Sequence, residues 1–146
     1  MYTGDLICHT SSIEVDAGAQ QAFDYLSDGV AQGEWALGSV ERERIGEHLY
    51  RGTSTFDGAE LFIEIEADPK TLVILYHIGQ DLEAGLQPRN MIRVVAGPVV
   101  GKGDQTCVVT LLSWRPEGMP DERWKLICVS HETEMFIIKN RIESRS

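Results

Sequence analysis

Three side chains in this sequence have the type and setting for chemistry: His131, His77 and Arg93. His131 stands in the middle of the closing stretch, Met119 to Ser146, which holds no Gly and no Pro after Pro120. At 100° per residue, Trp124, Ile127, Cys128, His131, Met135, Ile138 and Ile142 fall on one helical face. An imidazole there titrates near neutral pH and could move a proton in an aldol or enolisation step. The plainer reading is a core histidine with a satisfied N–H. Glu134, one turn away, could orient the ring or simply lie at the surface. His77 alternates with Val73 and Leu75 in the apolar run Thr71 to Ile78. Arg89 and Arg93 flank or lie in the Asn90 strand, where Arg93 shares a face with Met91 and Val95. Facing inward, it could clamp a carboxylate or enolate oxygen; facing outward, it is solvated or salt-bridged. His9 could join His77 and His131 around a metal, but no HxH or HExxH spacing supports this, so no metal is expected. Gly97 to Asp104 contains Gly-Lys without the rest of a phosphate-binding loop, and no nucleophile elbow surrounds any serine. No cofactor is expected.

The elements that must position these groups are mostly strands. The closing stretch reads as one amphipathic helix of about 24 residues, roughly 36 Å long. Pro120 suits its first turn, and Asp121 and Glu122 complement the positive end of its dipole. Leu6 to Val15 reads as the first strand, and Ala19 to Ser27 as a short helix with Ala22, Phe23 and Leu26 on one side. A second short helix or turn runs from Val30 to Trp35. Strands follow at Ser39 to Ile45, which is polar on both faces, and at Leu49 to Phe56, which ends on the hairpin signal Asp57-Gly58. Glu60 to Ala67 alternates cleanly, with Leu61, Ile63 and Ile65 on the core side. Thr71 to Ile78 reads as buried on both faces. Asn90 to Ala96 and Gln105 to Trp114 complete the set, joined by the glycine-rich hairpin connection Gly97 to Asp104. Hairpins with a segregated helix make an α+β protein.

Residues 1–146 suit one domain with one core. The net charge of −10 and the lack of a basic patch speak against nucleic acid and against anionic membrane surfaces. Cys8, Cys107 and Cys128 are odd in number and widely spaced, which fits reduced thiols in a cytoplasmic protein better than a disulfide framework. Met1 to Ser12 shows no signal-peptide pattern, and no apolar run approaches the ~20 residues of a membrane span.

The opening, Ser12-Ile-Glu-Val-Asp-Ala17 followed by Gln21-Ala-Phe-Asp-Tyr-Leu-Ser-Asp28 and then Trp35, resembles the START-like (SRPBCC) superfamily. Within it, the element order most resembles the polyketide cyclase/dehydrase-like single-domain proteins. The resemblance implies a helix-grip fold: a curved antiparallel sheet of about seven strands around a long C-terminal helix, with two short helices after the first strand. It also implies a cavity for an apolar or aromatic molecule, and it transmits no catalytic residues.

Together these readings give a binding protein for a small hydrophobic ligand, held by Trp35, Ile63, Ile65, His77, Arg93, Ile127, His131 and Met135. The alternatives are a cyclase/dehydratase-type enzyme that uses His131, His77 or Arg93, and a co-chaperone-like interaction module. A second apolar stripe, Leu126, Val129, Thr133, Phe136 and Ile137, lies opposite the first on the long helix and suggests a homodimer.

Overall fold

The structure, a computed structural model, describes residues 7–145. Leu6 and Ser146, the expected ends of the first strand and the last helix, lie outside the described residues. Seven antiparallel strands form one curved sheet: β1 (Cys8–Val15), β2 (Ser39–Arg44), β3 (Leu49–Ser54), β4 (Glu60–Asp68), β5 (Val73–Gly79), β6 (Gln87–Ala96) and β7 (Cys107–Trp114). Their spatial order is β1-β7-β6-β5-β4-β3-β2, so successive strands from β2 to β7 pair with their neighbours and β1 closes onto β7. A short helix, α1 (Ala19–Leu26), and a 3-10 turn, Ala31–Glu34, occupy the link from β1 to β2. The long helix α2 (Asp121–Glu143) ends the fold.

Period-two burial sets the two faces of the sheet. Along β7, Cys107, Val109, Leu111 and Ser113 are buried, and the residues between them are partly open. Ile63 and Ile65 of β4, Ile74 and Tyr76 of β5, and Ile92 and Val94 of β6 share that inner face. The run Thr71 to Ile78 is not buried on both faces, however. Val73, Leu75 and His77 are only half-buried on the outer side, which no element covers among the described residues. The strand is apolar because its outer side chains cover one another across the register, Leu75 opposite Met91 and Met91 opposite Leu112.

The buried residues of α2 are Trp124, Cys128, Glu134, Met135, Ile138 and Ile142, so the stripe that includes His131 is the one that meets the sheet. Leu126, Val129 and Phe136 on the opposite stripe are exposed. The two halves of the helix do different jobs. Its second half packs Met135, Ile138 and Ile142 into the same core as Ala22, Phe23 and Leu26 of α1. Leu26, Ile138 and Ile142 are fully buried, and each such side chain contributes about 1.5–3 kcal/mol. The first half stands over the sheet with space beneath it. Tyr76 donates its hydroxyl hydrogen to the Leu26 carbonyl at 2.6 Å, fixing α1 across the middle of the sheet. Gly29 then lets the chain pass Tyr50, whose ring would lie 2.4 Å from an added Cβ.

One local irregularity shapes the site. The β2–β3 register shifts between Val40 and Glu43, so Glu41 and Arg42 together oppose Gly52. Glu41 takes φ +56°, a left-handed conformation costly for a residue with a Cβ. The bulge turns Arg42 inward from an otherwise polar edge strand, and a Cβ at Gly52 would lie 3.5 Å from the Arg42 side chain.

Candidate functional site

A cavity of about 510 Å³ lies between the sheet and the first half of α2. Leu61, Ile63, Ile78 and Leu111 give it an apolar floor, with Trp35 and Phe56 on one side. The helix presents Arg123, Ile127, Ser130, His131 and Glu134 to it. These positions step by four, three, one and three residues, which keeps them on one edge of the helix.

Polar groups converge on this space. Asn90 of β6 and Ser113 of β7 are direct register partners on the inner face. The Ser113 hydroxyl donates to Asn90 Oδ1 at 2.7 Å, and His131 Nδ1 lies 2.7 Å from the same Ser113 oxygen. With the serine hydrogen committed to Asn90, the imidazole carries its hydrogen on Nδ1 and donates it to Ser113 Oγ. Nε2 is then left as an acceptor. It stands 3.8 Å from Glu134 Oε1. The other Glu134 oxygen accepts the Leu37 backbone N–H at 2.7 Å. Arg42 completes the cluster, bound to Gln32 Oε1 and donating to Ser39 Oγ at 2.6 and 3.0 Å.

Burial sets the protonation states. It pushes the His131 pKa down to about 4, with the nearby His9 as the second cause, so the ring is neutral at pH 7. Burial pushes Glu134 up to about 7, against the opposing pull of the Leu37 N–H and the Arg42 charge. Burial lowers Arg42 to about 10, which leaves it cationic at neutral pH. The site therefore pairs a neutral base, Nε2 of His131, with a carboxyl group that is half-protonated near neutrality. Of the two, Glu134 has the pKa that suits a group giving and taking a proton at working pH, whereas His131 is a weak base.

The structure brings Trp35, Ile63, Ile127 and His131 together around this cavity. Ile65 and Met135 are buried in the core beside it. His77 and Arg93 are placed elsewhere, and the expectation that they face the cavity is corrected. Tyr76 takes the inner position on β5, so His77 points outward and lies 3.1 Å from Glu66. Arg93, opposite Val73, is exposed on that same outer face. His77 thus lies across the sheet from His9 and His131, and the three do not converge. Sequence reading missed Arg42, Asn90, Ser113 and Arg123 and left Glu134 open; of the two arginines it placed at the Asn90 strand, Arg89 and not Arg93 borders the cavity. Glu134 had a signal in its position three residues after His131, and Arg89 in its place at the strand that holds Arg93.

Several solved structures share this architecture at low sequence identity. The Zhui aromatase/cyclase from Streptomyces sp. R1128 is 15% identical with a TM-score of 0.68, covering 94% of both chains. A START superfamily protein from Mycobacterium smegmatis is 14% identical with a TM-score of 0.66, covering 96% of this chain and 99% of that one. The di-domain aromatase/cyclase BexL from the BE-7585A biosynthetic pathway is 18% identical with a TM-score of 0.69, covering 93% of this chain and 46% of BexL. The fold is the START-like helix-grip fold. No family model and no curated protein matches the sequence. Among the described residues, no helix is long and apolar enough to cross a membrane.

Proposed function

We propose that this chain binds a small, largely apolar or aromatic molecule in the cavity beneath α2. The supporting observation is the cavity itself. About 510 Å³ is the volume of a drug-sized ligand, and its apolar floor meets a small convergent polar cluster, the usual make-up of such sites. The START-like fold of the similar structures supports the same reading. The three cysteines are free, which is consistent with a cytoplasmic setting.

A second reading, proton-transfer catalysis, is favoured by the Glu134–His131 pair. A ligand carbonyl beside them could enolise: the ionised Glu134 carboxylate takes the proton from the adjacent carbon and then gives the same proton to the carbonyl oxygen, which leaves Glu134 ionised again. The interaction-module reading draws only on the exposed stripe Leu126, Val129 and Phe136, where a second copy of the chain would also sit.

Native mass spectrometry of protein purified from its own host tests the proposal. The expected spectrum shows an added mass that is lost on denaturation, and a dimer at high concentration. Protein that stays empty even after incubation with host small-molecule extract would sink the binding reading. A mass that remains monomeric would sink the second copy.

A further inference from the structure

Among the described residues, two buried side-chain polar atoms have no hydrogen-bond partner: Nε1 of Trp35 and Nε of Arg123. Both are donors, and both residues belong to the cavity wall. Leaving a buried donor unpaired is destabilising, so two on one cavity call for an acceptor from outside the chain.

The charge pattern narrows what that acceptor is. The protein carries a net charge of −10, yet Arg89 and Arg123 both border this cavity. Burial lowers the Arg89 pKa and the charge of Arg123 lowers it further, so the two cations on this wall repel each other. Glu117 and Glu134 also border the cavity, but among the described residues no carboxylate forms a salt bridge with Arg89. Arg123 has one carboxylate contact, Asp57 at 3.5 Å, and otherwise stacks over the Phe56 ring at 5.2 Å to its centroid. Asp57 offsets only Arg123, so the second positive charge, on Arg89, is unfavourable beside the first unless an anion is bound there.

We infer that the ligand is an amphipathic anion, with a carboxylate-type oxyanion held between Arg89 and Arg123 and an apolar body lying over Leu61, Ile63 and Ile78. This rests on the cavity-binding reading proposed above and narrows the class of ligand. Guanidinium groups suit the role because each presents paired N–H donors to a planar oxyanion. The buried cluster of His131 and Glu134 would then face the far end of the bound molecule.

A matched pair of fluorescent probes tests this: 1-anilinonaphthalene-8-sulfonate and its uncharged counterpart N-phenyl-1-naphthylamine. Both should bind one per chain and displace each other. The sulfonate should bind at least tenfold more tightly in low salt. Arg89→Gln should remove about tenfold from the sulfonate affinity and leave the neutral probe unchanged. Arg123→Gln should act in the same direction, and it serves as the second variant if either protein folds poorly. Equal affinity of the two probes would overturn the inference and leave the cavity-binding reading intact. So would a sulfonate advantage that survives both substitutions. If neither probe binds, both readings fall.

Discussion

Glu134 and His131 are titratable groups whose pKa values burial has moved in opposite directions, and the consequences for stability partly cancel. Glu134 is raised from 4.5 to about 7. Between those values the unfolded chain has lost the proton and the folded chain keeps it, so stability falls as pH rises. His131 is lowered from 6.5 to about 4. Between those values the unfolded chain is protonated and the folded chain is not, so stability rises with pH. From about pH 4.5 to 6.5 the two slopes offset each other. Removing one partner exposes the other. Relative to wild type, Glu134→Gln should gain stability steadily from pH 4.5 to pH 7, by about 3 kcal/mol in all at 1.36 kcal/mol per unit. His131→Leu should gain relative to wild type as pH falls from 6.5 to 4, and it should remain folded at neutral pH with altered ligand affinity. Urea unfolding across this range checks both. Parallel curves for variant and wild type would mean that the two groups titrate normally in the fold.

At the scale of elements, the bulge in β2 shows why Arg42 escaped a reading of the sequence. Period-two alternation describes Ser39 to Ile45 as polar on both faces, and pattern alone cannot reveal an inserted residue that turns one of them inward. The same limit applied to His77 and Arg93. Their strands were correctly recognised, but an apolar run half-covered by its own neighbours looks like one buried on both faces. Strands with clean alternation, such as β4, and the long helix were legible because one face is dry and the other wet. Asn90 and Ser113 could be joined only once strand order made them neighbours. The bulge also carries a cost. Glu41, exposed and at φ +56°, should be replaceable by Gly with a gain of about 1 kcal/mol, because Gly adopts that conformation without steric penalty. Thermal unfolding of Glu41→Gly tests this, and a loss of stability would show that the Glu41 side chain supports the bulge.

Across the whole molecule, the sheet, α1 and the second half of α2 form the packed body, and the functional groups gather where that packing stops. A net charge of −10 spread over the chain contrasts with arginines collected at one cavity, and this contrast is visible only in three dimensions. Because α2 is anchored in the core by Met135, Ile138 and Ile142 but bridges open space at Ile127 and Ser130, its backbone should not resist opening evenly. Amide hydrogen exchange should be fast over residues 125–131, through small openings, and slow over 135–142, where release requires unfolding the body. Filling the cavity should slow the first group and leave the second unchanged. The most readily opened turn of the longest helix would then serve as the route by which a ligand enters and leaves, with no separate lid.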